Sequence, residues 1–137
     1  MDLEIAEQER EGVTILSPHG RLVIGPELEQ LRARVQALVA SGKTRLILDL
    51  AAVDYIDSSG LGQLVVCHTT LNKPGGGLRL LHLNSRNMEL MVITKLYTVF
   101  EIFDDEMEAV NSFFPDRRIR KFDILSFVES QKGKAKR

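Results

Sequence analysis

The side chains most able to do chemistry lie in one polar stretch, Asp57-Ser58-Ser59-Gly60-Leu61-Gly62, and a second carboxylate precedes it at Asp54. A serine hydroxyl can act as a nucleophile when a base and an oxyanion site accompany it. It can also cap a helix or accept a phosphate. The residues around the stretch decide which of these roles the sequence favours.

Nucleophilic catalysis is disfavoured by the sequence around Ser58. The nucleophile-elbow spacing GxSxG is absent, because Ile56 stands two residues before the serine. His68 falls on the buried side of a predicted helix and His82 inside a predicted strand, where histidines are more often core residues than bases. His19 lies beside a proline-containing bend and has no predicted place near the serine. We therefore expect no catalytic residues and no enzyme activity.

Metal and cofactor sites are not indicated either. No His, Cys or carboxylate residues recur at ligand spacing, and aspartates such as Asp54 and Asp57 commonly precede helices as caps. The glycines of Lys73-Pro74-Gly75-Gly76-Gly77 match neither GxxxxGK[ST] nor GxGxxG, so they predict a turn rather than a phosphate loop. We expect no bound metal and no cofactor.

A buried strand and a helix are predicted to position the polar stretch. Residues 46–50 form a nearly unbroken apolar run, which is typical of a strand buried on both faces. After the stretch, core-facing residues recur at helical spacing, namely Leu61, Leu64, Val65, His68 and Leu71. The hydroxyls then lie at the carboxyl edge of a sheet, where open α/β proteins usually place functional groups.

The rest of the chain predicts a single α/β domain in the order ββαβαβαβα, with one mixed sheet of about five strands flanked by about four helices. Leu3 and Ile5 begin a hairpin that turns at Arg10-Glu11-Gly12, and Pro18 is expected to interrupt its second strand. Further helices are predicted at residues 26–41 and 85–96 and after residue 104, where Met107, Val110 and Phe114 would dock, and further strands at 78–83 and 97–103.

Length and composition are those of an ordinary globular domain. The 137 residues are 44% apolar and 27% charged. Cys67 is the only cysteine, so no internal disulfide can form, and its place in a helical pattern predicts a small buried thiol. No apolar run approaches the ~20 residues of a membrane span and no signal-peptide pattern is present, so we expect a cytoplasmic location.

The C-terminal segment differs from the body in charge. Residues 117–137 hold eight basic and two acidic side chains, so their net charge is +6 while the first 116 residues carry −7. We predict a domain over 1–115 and a basic, partly disordered extension over 116–137, either a solvated end or an arm contacting an acidic partner, RNA or a membrane. The acidic body argues against direct DNA binding. Packing on the body and packing on a partner both stay open for Phe122, Ile124, Leu125, Phe127 and Val128.

Capping alone would explain the polar stretch, because Asp and Ser are preferred N-caps worth about 1 kcal/mol each. Gly60 and Gly62 go beyond that explanation, since glycine in a helix costs up to ~1 kcal/mol relative to alanine. They indicate that another surface approaches the backbone closely, and Tyr55, Ile56 and Leu61 would rim a docking site. A binding edge with a modifiable hydroxyl and a pure cap are equally favoured by these residues.

The stretch resembles the signature of the STAS family, and more closely that of bacterial anti-sigma factor antagonists. The resemblance covers residues 3–114 in element order, which implies a STAS-like fold. The specific part of the resemblance is the DSSGLG hexapeptide after a buried strand. The family pattern is also matched by Val53-Asp54-Tyr55-Ile56, by Gly20 and by Gly76-Gly77.

What the resemblance implies is a phosphoserine switch between partners. The unphosphorylated protein would sequester an anti-sigma factor that is also an ATP-dependent serine kinase, and so release a sigma factor. The kinase would phosphorylate Ser58, a PP2C-type phosphatase would remove the phosphate, and ATP would belong to the kinase. The implied partner-binding surface comprises Asp54, Tyr55, Ile56, Asp57, Ser58, Ser59, Gly60, Leu61 and Gly62.

One departure from the family pattern follows the second strand. Many antagonists carry Gly-Glu-Leu-Asp there, whereas this chain has Gly20-Arg21-Leu22-Val23. Val23 replaces the acid that usually lies near the serine. Its absence argues against recognition of Ser58 by a kinase of the usual type. The alternative function is a constitutive interaction or scaffold module in which Ser58 only caps a helix. A weak homodimer is a further expected interaction.

Overall fold

A tight hairpin forms one edge of the sheet in the computed structural model, which describes residues 4–135. Strand β1 (Glu4–Arg10) pairs antiparallel with β2 (Val13–Leu22). Glu11 and Gly12 between them have φ values of 54° and 81°, and a two-residue type I′ turn requires positive φ at both positions. The predicted hairpin is confirmed, while Leu3 lies outside the described residues.

The remaining elements follow the predicted succession of strands and helices, with a strand, a 3-10 turn and a final helix added. They are α1 (Pro26–Ala40), β3 (Arg45–Asp49), β4 (Val53–Ile56), α2 (Ser58–Leu71), β5 (Gly77–Leu81), α3 (Ser85–Ile93), a 3-10 turn (Leu96–Thr98), β6 (Glu101–Phe103), α4 (Glu106–Asn111) and α5 (Ile124–Ala135). The strand order is β1-β2-β3-β5-β6, and every pairing except β1 with β2 is parallel. A single α/β domain with a mixed sheet is therefore confirmed.

Strand β4 is an element that the predicted order lacks. It pairs in parallel with the end of β2, beyond the part of β2 that pairs with β3. Only Val53 and Ile56 of its four residues are buried, whereas Asp54 and Tyr55 are exposed. Because β4 is short and half of its residues are exposed, it has no apolar run. The sequence pattern therefore does not predict it. It leads directly into α2.

The predicted interruption of β2 at Pro18 is wrong, because the strand is continuous. Pro18 lies opposite Ile5 of β1. On the other side of β2, the pairing with β3 covers residues 14–16 and the pairing with β4 covers residues 20–22. On that side of β2, the proline therefore falls in the gap between two parallel neighbours, where no registered partner requires an N–H from it.

Two predicted boundaries near residue 97 are also wrong. Helix α3 ends at Ile93, and Lys95 then adopts a left-handed conformation with φ of 61°, which reverses the chain as helix-terminating residues do. Tyr97 lies in the 3-10 turn, so the last strand is confined to Glu101–Phe103. In the following helix α4, Met107 is 47% exposed and does not dock as predicted.

The sheet separates two apolar clusters. The larger cluster joins one face of the sheet to α1, α2, α3 and α5, and the smaller joins the other face to α4. In β3, Leu46 and Leu48 belong to the larger cluster and Ile47 to the smaller. This central strand is thus buried on both faces, as its unbroken apolar run predicts.

Helix α5 packs against α3, which answers a question that the sequence leaves open. Ile124 and Val128 are only 7% and 4% exposed and belong to the larger cluster, whereas Leu125 is 46% exposed. The core therefore includes residues beyond 115. Partial disorder within 116–137 stays a prediction, and Lys136 and Arg137 lie outside the described residues.

We expect Ile124→Ala to lower the free energy of unfolding by about 2 kcal/mol or more, because it removes buried methyl groups and leaves a cavity. Leu125→Ala is the matched control on the adjacent, exposed position and should change stability by less than about 0.5 kcal/mol. Urea denaturation of both variants measures the difference. Equal losses would contradict the docking of α5 on the body.

Candidate functional site at the start of helix α2

Asp57 is the N-cap of α2 and also ties the helix to β2. Its Oδ1 accepts a hydrogen bond from the backbone N–H of Gly60 at 2.8 Å, and its Oδ2 accepts one from the N–H of Ile24 at 3.0 Å. Its own N–H donates to the carbonyl oxygen of Leu22 at 3.1 Å. Asp57 therefore provides a hydrogen-bond acceptor for an N–H group at the start of α2. It also fixes the position of that helix start against the end of β2.

The same contacts keep Asp57 ionised. Burial raises the pKa of this carboxyl, but hydrogen bonds from the N–H groups of Gly60, Ile24 and Ser59 outweigh burial and hold the pKa below its ordinary value. The pKa is thus lower in the folded than in the unfolded chain. The resulting stabilisation is present at neutral pH and is lost as the pH falls through the folded-state pKa.

Ser58 is the first residue of α2 and is exposed. In the described part of the chain its hydroxyl makes no hydrogen bond, and Asp57 performs the capping that the alternative function assigns to this serine. Ser59 is half-buried beside it. The site thus presents one hydroxyl that is accessible from outside and has no structural task.

The two glycines of the first turn differ in their surroundings. A Cβ atom on Gly60 would lie 2.3 Å from the carbonyl oxygen of Leu22 and 2.8 Å from Cγ2 of Ile56, so any side chain there would clash. The surface that approaches Gly60 therefore belongs to this same chain. Gly62 is exposed, and a Cβ atom there would meet no atom of the described chain within 4 Å.

The predicted partner-binding residues divide between the surface and the interior. Ile56, Gly60 and Leu61 are buried, and Asp57 and Ser59 are half-buried. Of these five, Ile56, Asp57 and Leu61 still contribute to the walls of a groove at this surface. The exposed members are Asp54, Tyr55, Ser58 and Gly62.

A groove of about 430 Å³ lies beside Ser58, between the start of α2 and helix α3. Tyr55 and Ser58 line one side, and Arg86 and Ile93 line the other. Ile93 is 66% exposed, which leaves apolar surface open at the groove. This α3 wall was not predicted from the sequence; the available signal was the apolar Ile93 within the predicted helix at residues 85–96.

Helix α3 is fastened to the strand that carries Tyr55. The Nδ2 groups of Asn84 and Asn87 donate to the carbonyl oxygen of Val53 at 3.3 and 3.1 Å. Asn87 is 1% exposed, and its Oδ1 has no partner among the described residues. The guanidinium of Arg86 lies 5.3 Å from the ring centroid of Tyr55. These contacts hold both walls of the groove together.

Further apolar side chains are exposed near the serine. Ile24, whose N–H binds Asp57, is 75% exposed, and Val66 is 53% exposed. Ser58, Gly62 and Val66 follow one another at four-residue steps and so lie along one side of α2. Exposed apolar patches that are rimmed by polar residues are typical of protein interaction sites. Val23, which stands where many anti-sigma factor antagonists have an acid, directly precedes Ile24 and therefore lies at this site.

The other candidate residues lie elsewhere. Cys67 is buried, as predicted, and burial raises the pKa of its thiol. The ring of His68 packs edge-on to Phe100 at 5.8 Å, and Nδ1 of His82 lies 3.0 Å from Oδ1 of Asp49. Neither histidine lines the groove.

Between residues 4 and 135, no group of three or more His, Cys, Asp or Glu is placed to hold a metal ion. No helix in that range has the length and apolarity needed to cross a membrane.

The family model of the STAS domain matches residues 4–109. The chain belongs to the STAS domain family. A Bordetella bronchiseptica relative, BtrV, a candidate anti-sigma factor antagonist, is 32% identical over 85 residues, which cover 62% of this chain and 73% of the relative. The anti-sigma F factor antagonist of Paenibacillus polymyxa is 24% identical over 116 residues, covering 80% and 94%.

Solved structures share the fold. The anti-sigma factor antagonist SpoIIAA of Bacillus matches in its unphosphorylated form with a TM-score of 0.61 and in its phosphorylated form with a TM-score of 0.60. Both are 20% identical to this chain and cover 80% of it, and the chain covers 96% and 97% of them. The resemblance drawn from the sequence is confirmed for family and fold. Helix α5 lies outside the residues that the STAS family model matches.

Asp57→Ala is expected to lower the free energy of unfolding by about 1 kcal/mol at neutral pH, because the N-cap is lost. The difference from the unaltered protein should shrink on acidification, since protonation of Asp57 removes the same contribution. Asp54→Ala is the control, because no side-chain hydrogen bond or ion pair of Asp54 is present among the described residues. Denaturant titrations over a pH series measure both effects, and a pH-independent difference would contradict the assigned role.

Gly60→Ala and Gly62→Ala should have opposite effects. The first forces a clash with the Leu22 carbonyl and should destabilise the fold by about 1–3 kcal/mol. The second meets open space and should stabilise the helix by up to about 1 kcal/mol. Thermal denaturation of the pair tests this, and equal loss of stability in both variants would refute the distinction.

Proposed function

We propose that the chain is an anti-sigma factor antagonist that binds an anti-sigma factor through the exposed start of α2 and the groove beside it. The observation that carries the proposal is the exposed Ser58 hydroxyl, which is free of any capping task because Asp57 performs it. The names of the Bordetella and Paenibacillus relatives support the class of partner. The chain would act as a ligand without enzyme activity of its own, in the cytoplasm.

The second part of the proposal is that phosphorylation of Ser58 switches binding off. The anti-sigma factor would be a serine kinase, and the γ-phosphoryl group of its bound ATP would pass to Oγ of Ser58. ADP would leave, and the hydroxyl proton would pass to a base of the kinase. A PP2C-type phosphatase would hydrolyse the phosphoester and return the protein to its binding form.

Charge explains why binding would respond more than folding. A phosphoserine adds about −1.5 to −2 charges, next to Asp54 and Asp57. The N–H groups at the start of α2 tolerate such an anion, with a favourable dipole interaction of about 0.3–1 kcal/mol. Like charges brought together across an interface cost several kcal/mol, and ~4 kcal/mol weakens binding about a thousandfold. The occurrence of SpoIIAA in both states on this fold supports the proposal.

A constitutive interaction module is the second candidate function. The observation that favours it is the apolar segment after β2, where Val23 stands in place of an acid and Ile24 is 75% exposed. An apolar surface there would suit a permanent interface that does not depend on a kinase. The two candidates differ in whether the charge at Ser58 controls affinity.

Substitution of Ser58 tests the switch. Against the serine-kinase anti-sigma factor of the same genome, we expect Ser58→Ala to bind as tightly as the unphosphorylated protein, and Ser58→Asp to bind at least tenfold more weakly, in the direction of the ~1000-fold effect of phosphate. Ser41→Asp is the matched control, because Ser41 is exposed at the end of α1, outside the implied binding surface, and the affinity of this variant should equal that of the unaltered protein. Calorimetric titration measures the affinities, and equal values for the alanine and aspartate variants would favour the constitutive module.

Phosphopeptide mass spectrometry of the protein from its native cells provides the direct observation. We expect phosphate on Ser58. Phosphate on Ser59 alone would move the site by one residue, and an unmodified peptide under all growth conditions would reject the switch.

A further inference from the structure

Arg86 lies in the same groove as Ser58, although the two residues are 28 positions apart in the sequence. Its side chain extends across the groove, because its guanidinium stands 5.3 Å from the centre of the Tyr55 ring. Tyr55 precedes Ser58 by three residues and lines the groove with it. A cation is therefore held over the ring of Tyr55, in the groove that Ser58 also lines.

Among the described residues, Arg86 makes no ion pair and no hydrogen bond through its guanidinium. Glu89, one turn further along α3, also lines the groove but is not paired with it. The exposed ion pairs of this chain join other residues, such as Arg34 with Glu7 and Arg117 with Glu11. The hydrogen-bond donors of Arg86 thus remain available to an anion that enters the groove.

A phosphate on Ser58 would be such an anion. A guanidinium can bind two phosphate oxygens at once, and pairs of this kind are among the strongest polar contacts in proteins. The other charged groups at the groove are the carboxylates of Asp57 and Glu89, with Asp54 exposed in the adjacent strand. All three are negative, so among the described residues that line the groove Arg86 is the one cation that can compensate the added charge. Arg21, which lies opposite Tyr55 in β2, is exposed but does not line the groove.

We propose that Arg86 is the phosphate-binding residue of the modified protein and pairs with phosphorylated Ser58 across the groove. The inference rests on the proposed phosphorylation of Ser58 and assigns that phosphate a position. The pair would draw the phosphate over the groove between α2 and α3. Phosphorylation would then fill the docking groove as well as charge it, and the phosphate would be neutralised in part within its own chain.

Phosphorus NMR on the full chain tests this pairing. Phosphoserine is installed at position 58 by genetic encoding, so no kinase is needed, and the second ionisation of the phosphate is followed as a function of pH. In Arg86→Gln we expect its midpoint to lie about one pH unit higher than in the otherwise unaltered protein, because an adjacent guanidinium favours the dianion. Arg86→Lys should give an intermediate midpoint, since an ammonium keeps the charge and loses the bidentate geometry.

Arg10→Gln is the matched control. It removes the same charge at the hairpin end of the sheet, about 30 Å along β2 from the end that contacts α2. Its midpoint should equal that of the unaltered protein. The effects of Asp54, Asp57, Glu89 and the helix amides are the same in all variants, so the difference isolates Arg86.

The outcomes separate the two proposals. Equal midpoints in Arg86→Gln and in the unaltered protein would overturn the pairing, whatever the kinase does. A shifted midpoint together with a native protein that is never phosphorylated would reject the switch and leave a phosphate-binding arginine at the groove. Circular dichroism confirms that each variant is folded, which is expected because Arg86 is exposed.

Discussion

The two oxygens of the Asp57 carboxylate hold together parts of the chain that are far apart in sequence. One binds the backbone of Gly60 at the start of α2, and the other binds the backbone of Ile24, 33 residues away. The helix end is thereby placed so close to β2 that residue 60 has no room for a side chain. The exposure of Ser58 depends on this arrangement, because the capping contact comes from its neighbour.

Separation of these tasks explains how the fold could carry a reversible modification. The N–H of Gly60 at the helix start already has its acceptor in the Asp57 side chain, so a change at Ser58 leaves this cap in place. The groove beside the serine is held in shape by asparagine contacts to Val53, which do not involve the hydroxyl. A phosphate could therefore alter what approaches the surface while the framework beneath it stays the same.

Sequence reasoning succeeded where the pattern is local. The apolar run of β3 is buried on both faces, the turn at Gly12 has the positive φ that a hairpin needs, and Asp57 caps the helix. It failed for β4, which has only two buried residues, and it expected Pro18 to break β2 because it did not place the proline between two parallel neighbours. It left the packing of α5 open, since an apolar patch within a segment of positive net charge can pack on the body or on a partner.

By itself, the sequence determined the strand, the DSSGLG turn and the helix, and with them the family, because those features depend on residues within a few positions of one another. Only the tertiary structure decided that the Leu22 carbonyl leaves no room for a side chain at position 60, whereas position 62 has free space. It also decided that the Arg86 guanidinium lies over the ring of Tyr55. Those facts are distances between segments about 30 residues or more apart, set by strand register and helix packing. No local pattern encodes them.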